Sequence, residues 1–227
     1  MKYKKIKNCR LCNSKKVRKL IDFGSICCSS TFPQKKIKYN EITPMIFCIC
    51  DECKLAQLLH NYNLKELYND NYGYRSGINQ SMIKHLAGIT SDIKKIVNFN
   101  KGDYVLDIAS NDGTLLKTYK SSNINYVGID PTVARFKNFY PKKFKTKSTF
   151  FSKKKYLNLS KGKKAKAITS IAVFYDIINP DGFMSDIKNI LHNKGIYVME
   201  QSYLPILLKN NGYDSICHEH LTYFTLK

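Results

Sequence analysis

Tyr104–Leu116 reads YVLDIASNDGTLL. Its first six residues are apolar except for Asp107, and a run of this length suits a buried strand. A polar turn with Gly113 follows, and the apolar pair after it opens a helix. Just upstream, Gly77–Phe99 carries apolar residues at Ile78, Met82, Ile83, Leu86, Ile89, Ile93, Ile96 and Val97, the spacing of an amphipathic helix. Downstream, further strands are predicted at YVGID (126–130), weakly at FKTKS, at AITSIAVF (167–174) and at GIYVME (195–200). A helix over 180–191, with Pro180 in its first turn, falls between the last two. Alternation of this kind predicts a parallel, doubly wound sheet with helices on its faces.

In such a sheet the ligand lies at the carboxyl ends of the strands. Asp107 ends the first strand and Asp130 ends the second, 23 residues later. That interval suits a carboxylate accepting from a ribose diol. The turn has neither G-x-G-x-x-G nor a Walker lysine, and Asp112 within it would repel a pyrophosphate. A cationic nucleoside fits better, and S-adenosylmethionine, with its ammonium and sulfonium, is the expected cofactor. Another nucleotide and ordinary strand-end polar residues are the competing readings.

Before this sheet stand two C-x-x-C pairs, CRLC (Cys9, Cys12) and CDEC (Cys50, Cys53). Each pair can bring two thiolates to one metal through a tight turn, and together they complete a tetrahedral sulfur shell. The reading is a structural zinc, with a meander filling the 37 residues between the knuckles. Reduced structural cysteines are the plainer alternative. Cys48 and the adjacent Cys27 and Cys28 are less well spaced.

The 227 residues allow one domain plus a small module. Mean hydropathy of −0.36 is that of a water-soluble chain, and no run approaches the about 18 apolar residues of a membrane span. The opening MKYKKIKNCRLC has charge without an apolar stretch behind it, so no signal peptide is expected and the cytoplasm is the expected compartment. Net charge is +21, but only Arg10, Arg18, Arg75 and Arg135 among 38 cations are arginine. The excess reads as dispersed, solvated lysine rather than a nucleic-acid surface, although KKFKTKS and SKKKYLNLSKGKKAK are local clusters.

CRLC, CDECKLAQL, YGYRSGIN, VLDIASNDGTLL, VGIDP, TSIAVFYD, EQSYLP and YDSICHEHLTYF, in this order, resemble the sugar C-methyltransferases that act on nucleotide-linked keto-deoxysugars. The resemblance covers essentially the whole chain. It implies a zinc-binding module over 1–70 and a Rossmann-like class I methyltransferase domain over 71–227. It also implies cofactor contacts from Asp107, Ala109, Asn111, Asp112, Gly113, Asp130 and Ser170. Ala109 and Ser110 stand where other methyltransferases often carry glycine. The family's E-H-x-x-Y element falls on Glu219, His220 and Tyr223, with Cys217 where some members have tyrosine, and YGYRSG offers Tyr72 or Tyr74 to the site.

SICHEH (Ser215–His220) lacks the helical H-E-x-x-H spacing of zinc hydrolases. A sugar carbon beside a ketone is acidic, and histidine accepts such a proton near neutral pH. His220 is the expected base, with Glu219 orienting it or binding hydroxyls and His218 left to orientation or packing. Two other classes compete: an RNA methyltransferase and a non-catalytic cofactor-binding scaffold. Against the first, SIAVFYD replaces the N/D-P-P-Y/F of base-amino methyltransferases, and Cys217 lacks the context of a C5-methylating nucleophile. Only 27 residues follow Glu200, too few for the antiparallel pair that closes a class I sheet. The expectation is therefore a chain truncated near its last strands and without the family's C-terminal domain. The expected partner is a nucleotide-linked ketosugar, with neither membrane nor nucleic acid.

Overall fold

The computed structural model describes residues 2–29, 42–69 and 72–226. In chain order the strands are β1 (Tyr3–Lys5), β2 (Val17–Cys27), β3 (Ile42–Cys50), β4 (Ala56–Leu58), β5 (His60–Tyr62), β6 (Tyr104–Ile108), β7 (Asn125–Asp130), β8 (Lys145–Ser148), β9 (Ala165–Ile171), β10 (Leu191–Glu200) and β11 (Thr222–Tyr223). The helices are α1 (Leu64–Leu67), α2 (Gln80–Ile96), α3 (Thr114–Thr118), α4 (Val133–Phe136), α5 (Lys153–Ser160), α6 (Pro180–Ile190) and α7 (Leu204–Lys209). Packing gathers residues 1–73, 172–181 and 201–227 into one unit and residues 74–171 and 182–200 into a second.

The first unit is a meander. β2, β3 and β4 pair antiparallel, and β11 adds to the free side of β4 with Tyr223 opposite Ala56. β3 alternates toward the interior through Thr43, Met45 and Phe47, while ten of the eleven residues of β2 are exposed. Its apolar core joins Met45, Phe47, Leu58, Tyr62 and Leu67 to Leu221 and Tyr223. The LTYF segment therefore does form a strand, but it extends this sheet and not the parallel one.

The second unit holds five parallel strands in the order β10-β9-β6-β7-β8. All of β6 is buried, and so is β7 except for Asn125, as strands covered on both faces require. Leu86 and Ile93 of α2 and Leu115 and Leu116 of α3 pack with Val105 and Tyr126. The predicted fourth strand stops at Ile171, three residues early. Ala172 turns left-handed (φ +57°) and a 3-10 turn over Phe174–Asp176 follows. The fifth strand begins at Leu191, with an irregular register before Ile196.

Candidate zinc centre and cofactor turn

In the first unit the Sγ atoms of Cys9, Cys12, Cys50 and Cys53 all lie within 4.8 Å of one another. Cys9 and Cys53 are 3.6 Å apart, and Cys12 and Cys50 are 3.5 Å apart. A tetrahedron with Zn–S of about 2.3 Å spaces its sulfurs by roughly 3.8 Å, close to the two separations just given, so the donor set suits this ion. The knuckles are built alike. Asn13 N–H donates to the Cys9 carbonyl and Lys54 N–H to the Cys50 carbonyl, and both donors are left-handed (φ +59° and +62°). Burial raises the Cys9 thiol, but the amides of Cys12, Leu11 and Gln57 outweigh it and draw the group down to about 7.

Two residues that the C-x-x-C spacing does not reveal secure this centre. Gln57 Nε2 donates to Cys9 Sγ at 3.3 Å, the outer contact that fixes a thiolate ligand. The Arg10 guanidinium donates to the Leu58 carbonyl, to the His60 carbonyl at 2.9 Å and to Asn61 Oδ1 at 2.7 Å. It ties the first knuckle to the β4–β5 strands. Cys48 instead donates to the Gln57 carbonyl at 3.1 Å, and Cys28 is pushed up to about 12 by burial; both stand outside the cluster.

In the second unit the turn after β6 gathers carboxylates. Ala109, Asn111 and Gly113 are all left-handed (φ +56°, +49° and +73°). That conformation costs a non-glycine residue about 1 kcal/mol, a strain that glycine would not bear. A Cβ on Gly113 would lie 2.6 Å from the Tyr140 ring. The Tyr140 hydroxyl donates to the Asn111 carbonyl at 2.7 Å, so the Ser110 hydroxyl, 2.8 Å away, donates to Tyr140.

Asp112 is fully buried. Its Oδ1 accepts from Thr114 N at 3.1 Å and from Thr114 Oγ1 at 2.5 Å, and its Oδ2 accepts from Gly77 N at 3.1 Å with Arg75 Nη1 at 3.5 Å. A Cβ on Gly77 would sit 2.5 Å from that oxygen. Asn111 accepts from Ser76 N at 2.9 Å and donates to the Tyr74 carbonyl at 3.1 Å. YGYRSG thus contributes backbone amides, a carbonyl and Arg75 to this turn, and the half-exposed Tyr74 side chain is not what holds it.

Asp130 accepts from Asn111 N at 2.9 Å and, on its other oxygen, from Thr132 N and Thr132 Oγ1, both at 2.5 Å. Three of its roughly four lone-pair positions are filled, leaving one for a ribose hydroxyl. Asp107 accepts from Thr169 Oγ1 at 2.6 Å. Burial, partly countered by that bond and reinforced by the Asp130 charge, raises Asp107 to about 7. Three buried carboxyls, with Arg75 beside Asp112, make a site that a sulfonium and an ammonium suit. Ser170, at the end of β9, is 2.6 Å from the Tyr197 hydroxyl.

Glu219, His220, Tyr223 and Tyr72 all belong to the first unit. His220 Nδ1 lies 2.8 Å from the Ser215 carbonyl, to which the Tyr223 hydroxyl also donates at 3.2 Å. A carbonyl only accepts, so Nδ1 carries the proton and Nε2 keeps its lone pair. Burial lowers the His220 pKa, against the Ser215 bond and the Glu219 charge. His218 is fully buried, accepts from Ser29 N at 3.2 Å, packs edge-on against Tyr62 and is held down at about 4 by burial. Burial and the Glu219 charge push Cys217 up to about 11, which disfavours a nucleophilic thiolate. Tyr72 packs against Tyr68, ring centroids 5.2 Å apart.

Residues 82–227 match the family described as "Methyltransferase domain", and residues 9–68 match the one described as "Putative zinc binding domain". The first match takes in more than half of the chain, which therefore belongs to the methyltransferase-domain family. Among curated proteins it is similar to C-methyltransferase NovU of Streptomyces niveus, with 24% identity over 97% of this chain and 53% of that protein. The chain thus spans about half the length of this relative. Similar solved structures include the plantazolicin methyltransferase BpumL in complex with a desmethylPZN analogue and SAH (15% identity, TM-score 0.44, 58% of this chain and 50% of that one). Coclaurine N-methyltransferase bound to N-methylheliamine and SAH is another (11%, 0.45, 69% and 50%).

Family and site together give S-adenosylmethionine as the cofactor of the parallel-sheet unit and zinc as the metal of the cysteine cluster. The fold is the Rossmann-like one expected, preceded by a cysteine-rich module. Among the described residues no helix is long and apolar enough to cross a membrane.

Proposed function

We propose that this chain carries the catalytic core of an S-adenosylmethionine-dependent C-methyltransferase acting on a nucleotide-linked keto-deoxysugar, with His220 as the base. The observation that carries this reading is the His220 ring. Its Nδ1–H is committed to the Ser215 carbonyl at 2.8 Å, and burial lowers its pKa, which favours the neutral ring. Nε2 is thereby a fixed, unprotonated base, as removal of a proton beside a ketone requires. The neighbouring Glu219 carboxylate favours the imidazolium once the proton arrives. The similarity to NovU, a C-methyltransferase, is consistent with transfer to carbon.

In this reading Asp107, Ala109, Asn111, Asp112, Gly113, Asp130 and Ser170 handle the cofactor, which supplies an electrophilic methyl group. Glu219, Tyr223 and either Tyr72 or Tyr74 serve the sugar side, and the linear division falls at 70/71. Candidate nucleotide-linked ketosugars incubated with methyl-labelled S-adenosylmethionine and the protein test it. Mass spectrometry should place the label on a ring carbon beside the ketone. Label in RNA, or no transfer to any ketosugar, would contradict the assignment.

A further inference from the structure

Close to the His220 turn lies a carboxyl group that this reading leaves without a task. Asp176 ends the 3-10 turn Phe174–Asp176, five residues beyond the last residue of β9. Within the first unit the turn is clamped to the segment that follows His220. The Tyr175 carbonyl accepts from Leu221 N at 2.8 Å and from Thr222 Oγ1 at 3.1 Å, and the Tyr175 and His220 rings lie 4.2 Å apart. Asp176 Oδ2 accepts from the Tyr68 hydroxyl at 2.9 Å. Its Oδ1 is buried and has no hydrogen-bond partner among the described residues.

One oxygen held by a dedicated donor, with the other buried and unpaired, is costly for a carboxylate. It suits a carboxyl group that keeps its proton and turns it toward a ligand. The groups that act on Asp176 are the Tyr68 hydroxyl and the Glu219 carboxylate; Tyr72, Cys217 and Tyr223 belong to the same network of charges. Burial holds Asp176 well above the usual carboxylate range, Glu219 pushes the same way, and the Tyr68 bond opposes both.

We propose that Asp176 is a further catalytic residue: un-ionised and fixed by Tyr68, it donates from Oδ1 to the ketone oxygen of the sugar as the enolate forms. The inference rests on the ketosugar reading. When the base takes the proton beside the ketone, the C–H electron pair becomes a C=C bond and the C=O π pair moves onto oxygen. The Asp176 proton meets the charge growing there. As the carbon attacks the sulfonium methyl, the C=O bond reforms and the C–S bond breaks with its pair left on sulfur. The sugar loses one proton and gains one methyl group, so no oxidant or reductant enters. Asn retains an N–H donor at this position, whereas Ala does not.

The test uses the protein, nucleoside-diphosphate-linked keto-deoxysugars as probes, and deuterium exchange at the carbon beside the ketone. Removing one such donor costs about 10²–10³-fold, so Asp176→Ala should lose that much exchange while cofactor affinity is unchanged. Asp176→Asn should recover part of the loss. It should also lack the decline that wild type shows as pH rises and Asp176 ionises. Infrared spectra of the unliganded protein provide a readout free of substrate. Above the pH at which Asp107 ionises, wild type should show the carbonyl stretch of an un-ionised carboxyl group, missing from Asp176→Asn.

Exchange within twofold of wild type in Asp176→Ala would overturn the proposal, as would an infrared spectrum identical in wild type and Asp176→Asn. Should Asp176→Ala fail to fold, the same decline with rising pH retained in Asp176→Asn would overturn it equally. A wild type that exchanges none of the sugars contradicts the ketosugar reading itself, and this role with it.

Discussion

Around Cys9, Cys12, Cys50 and Cys53, the groups that matter converge from two turns distant in sequence, on a unit whose β2 strand is almost wholly exposed. Around Asp107, Asp112 and Asp130, the groups grow from one strand, its turn and the neighbouring strand, all backed by buried side chains. In the first region the ion substitutes for core. In the second the core holds the carboxylates, and the ligand relieves their repulsion. Loss of a ligating group should therefore unfold structure in one region and only weaken binding in the other.

The largest effect is expected at the zinc centre. Structural zinc contributes about 10–16 kcal/mol in small zinc domains. Cys50→Ser should lose the metal and open β2–β4 to amide hydrogen exchange, while Cys28→Ser keeps both metal and protection. Freshly reduced protein free of zinc, or a Cys50→Ser variant that holds it, would break the comparison from this side.

At the carboxylate turn the fold should survive substitution. Asp107→Asn and Asp130→Asn should each weaken S-adenosylmethionine binding by about 1.5–3 kcal/mol, the worth of a hydrogen bond to a charged group. Calorimetry finding both affinities unchanged would remove these residues from the site. A pH series sharpens the point. The Asp107 proton leaves at about 7 in the folded chain, against about 3.9 in an unfolded one. Without ligand, this group's contribution to stability declines as pH rises between those values. A cationic ligand pairs with the ionised form, so affinity should rise with pH through about 7 in wild type. In Asp107→Asn that rise should be absent.

A smaller effect belongs to Gly77→Ala. The added methyl would press on Asp112 Oδ2, and overpacking of this kind costs about 1–3 kcal/mol. Cofactor affinity should fall with zinc content unaltered. A variant that lost its zinc would show that the two regions do not respond separately.

How far the sequence discloses this architecture depends on the range of the interactions. The β6 strand and its turn are legible because Asp107, Asn111, Asp112 and Gly113 lie within seven residues and each answers a local demand of the backbone. The two cysteine pairs are legible because metal geometry fixes their spacing. β11 is not: two residues pair with Gln57 and Ala56 across most of the chain, and no local pattern encodes that choice. The end of β9 is obscured because Ile171–Phe174 is an unbroken apolar run, so the strand pattern continues past the break that Ala172 makes. Arg10 and Gln57 escape notice because their partners are backbone carbonyls and a thiol contributed by other segments. Asp176 looks like an ordinary loop acid until its burial and its Tyr68 bond are seen.

The central claim is that His220 removes the proton beside a ketone. It is tested most directly without methyl donor, by following deuterium entry into a nucleotide-linked ketosugar. Wild type should exchange that position. His220→Asn should do so about 10²–10⁴-fold more slowly, with the fold and S-adenosylmethionine affinity intact, and His218→Asn should change it far less. Exchange at the wild-type rate in His220→Asn would contradict the account and assign the proton to another base.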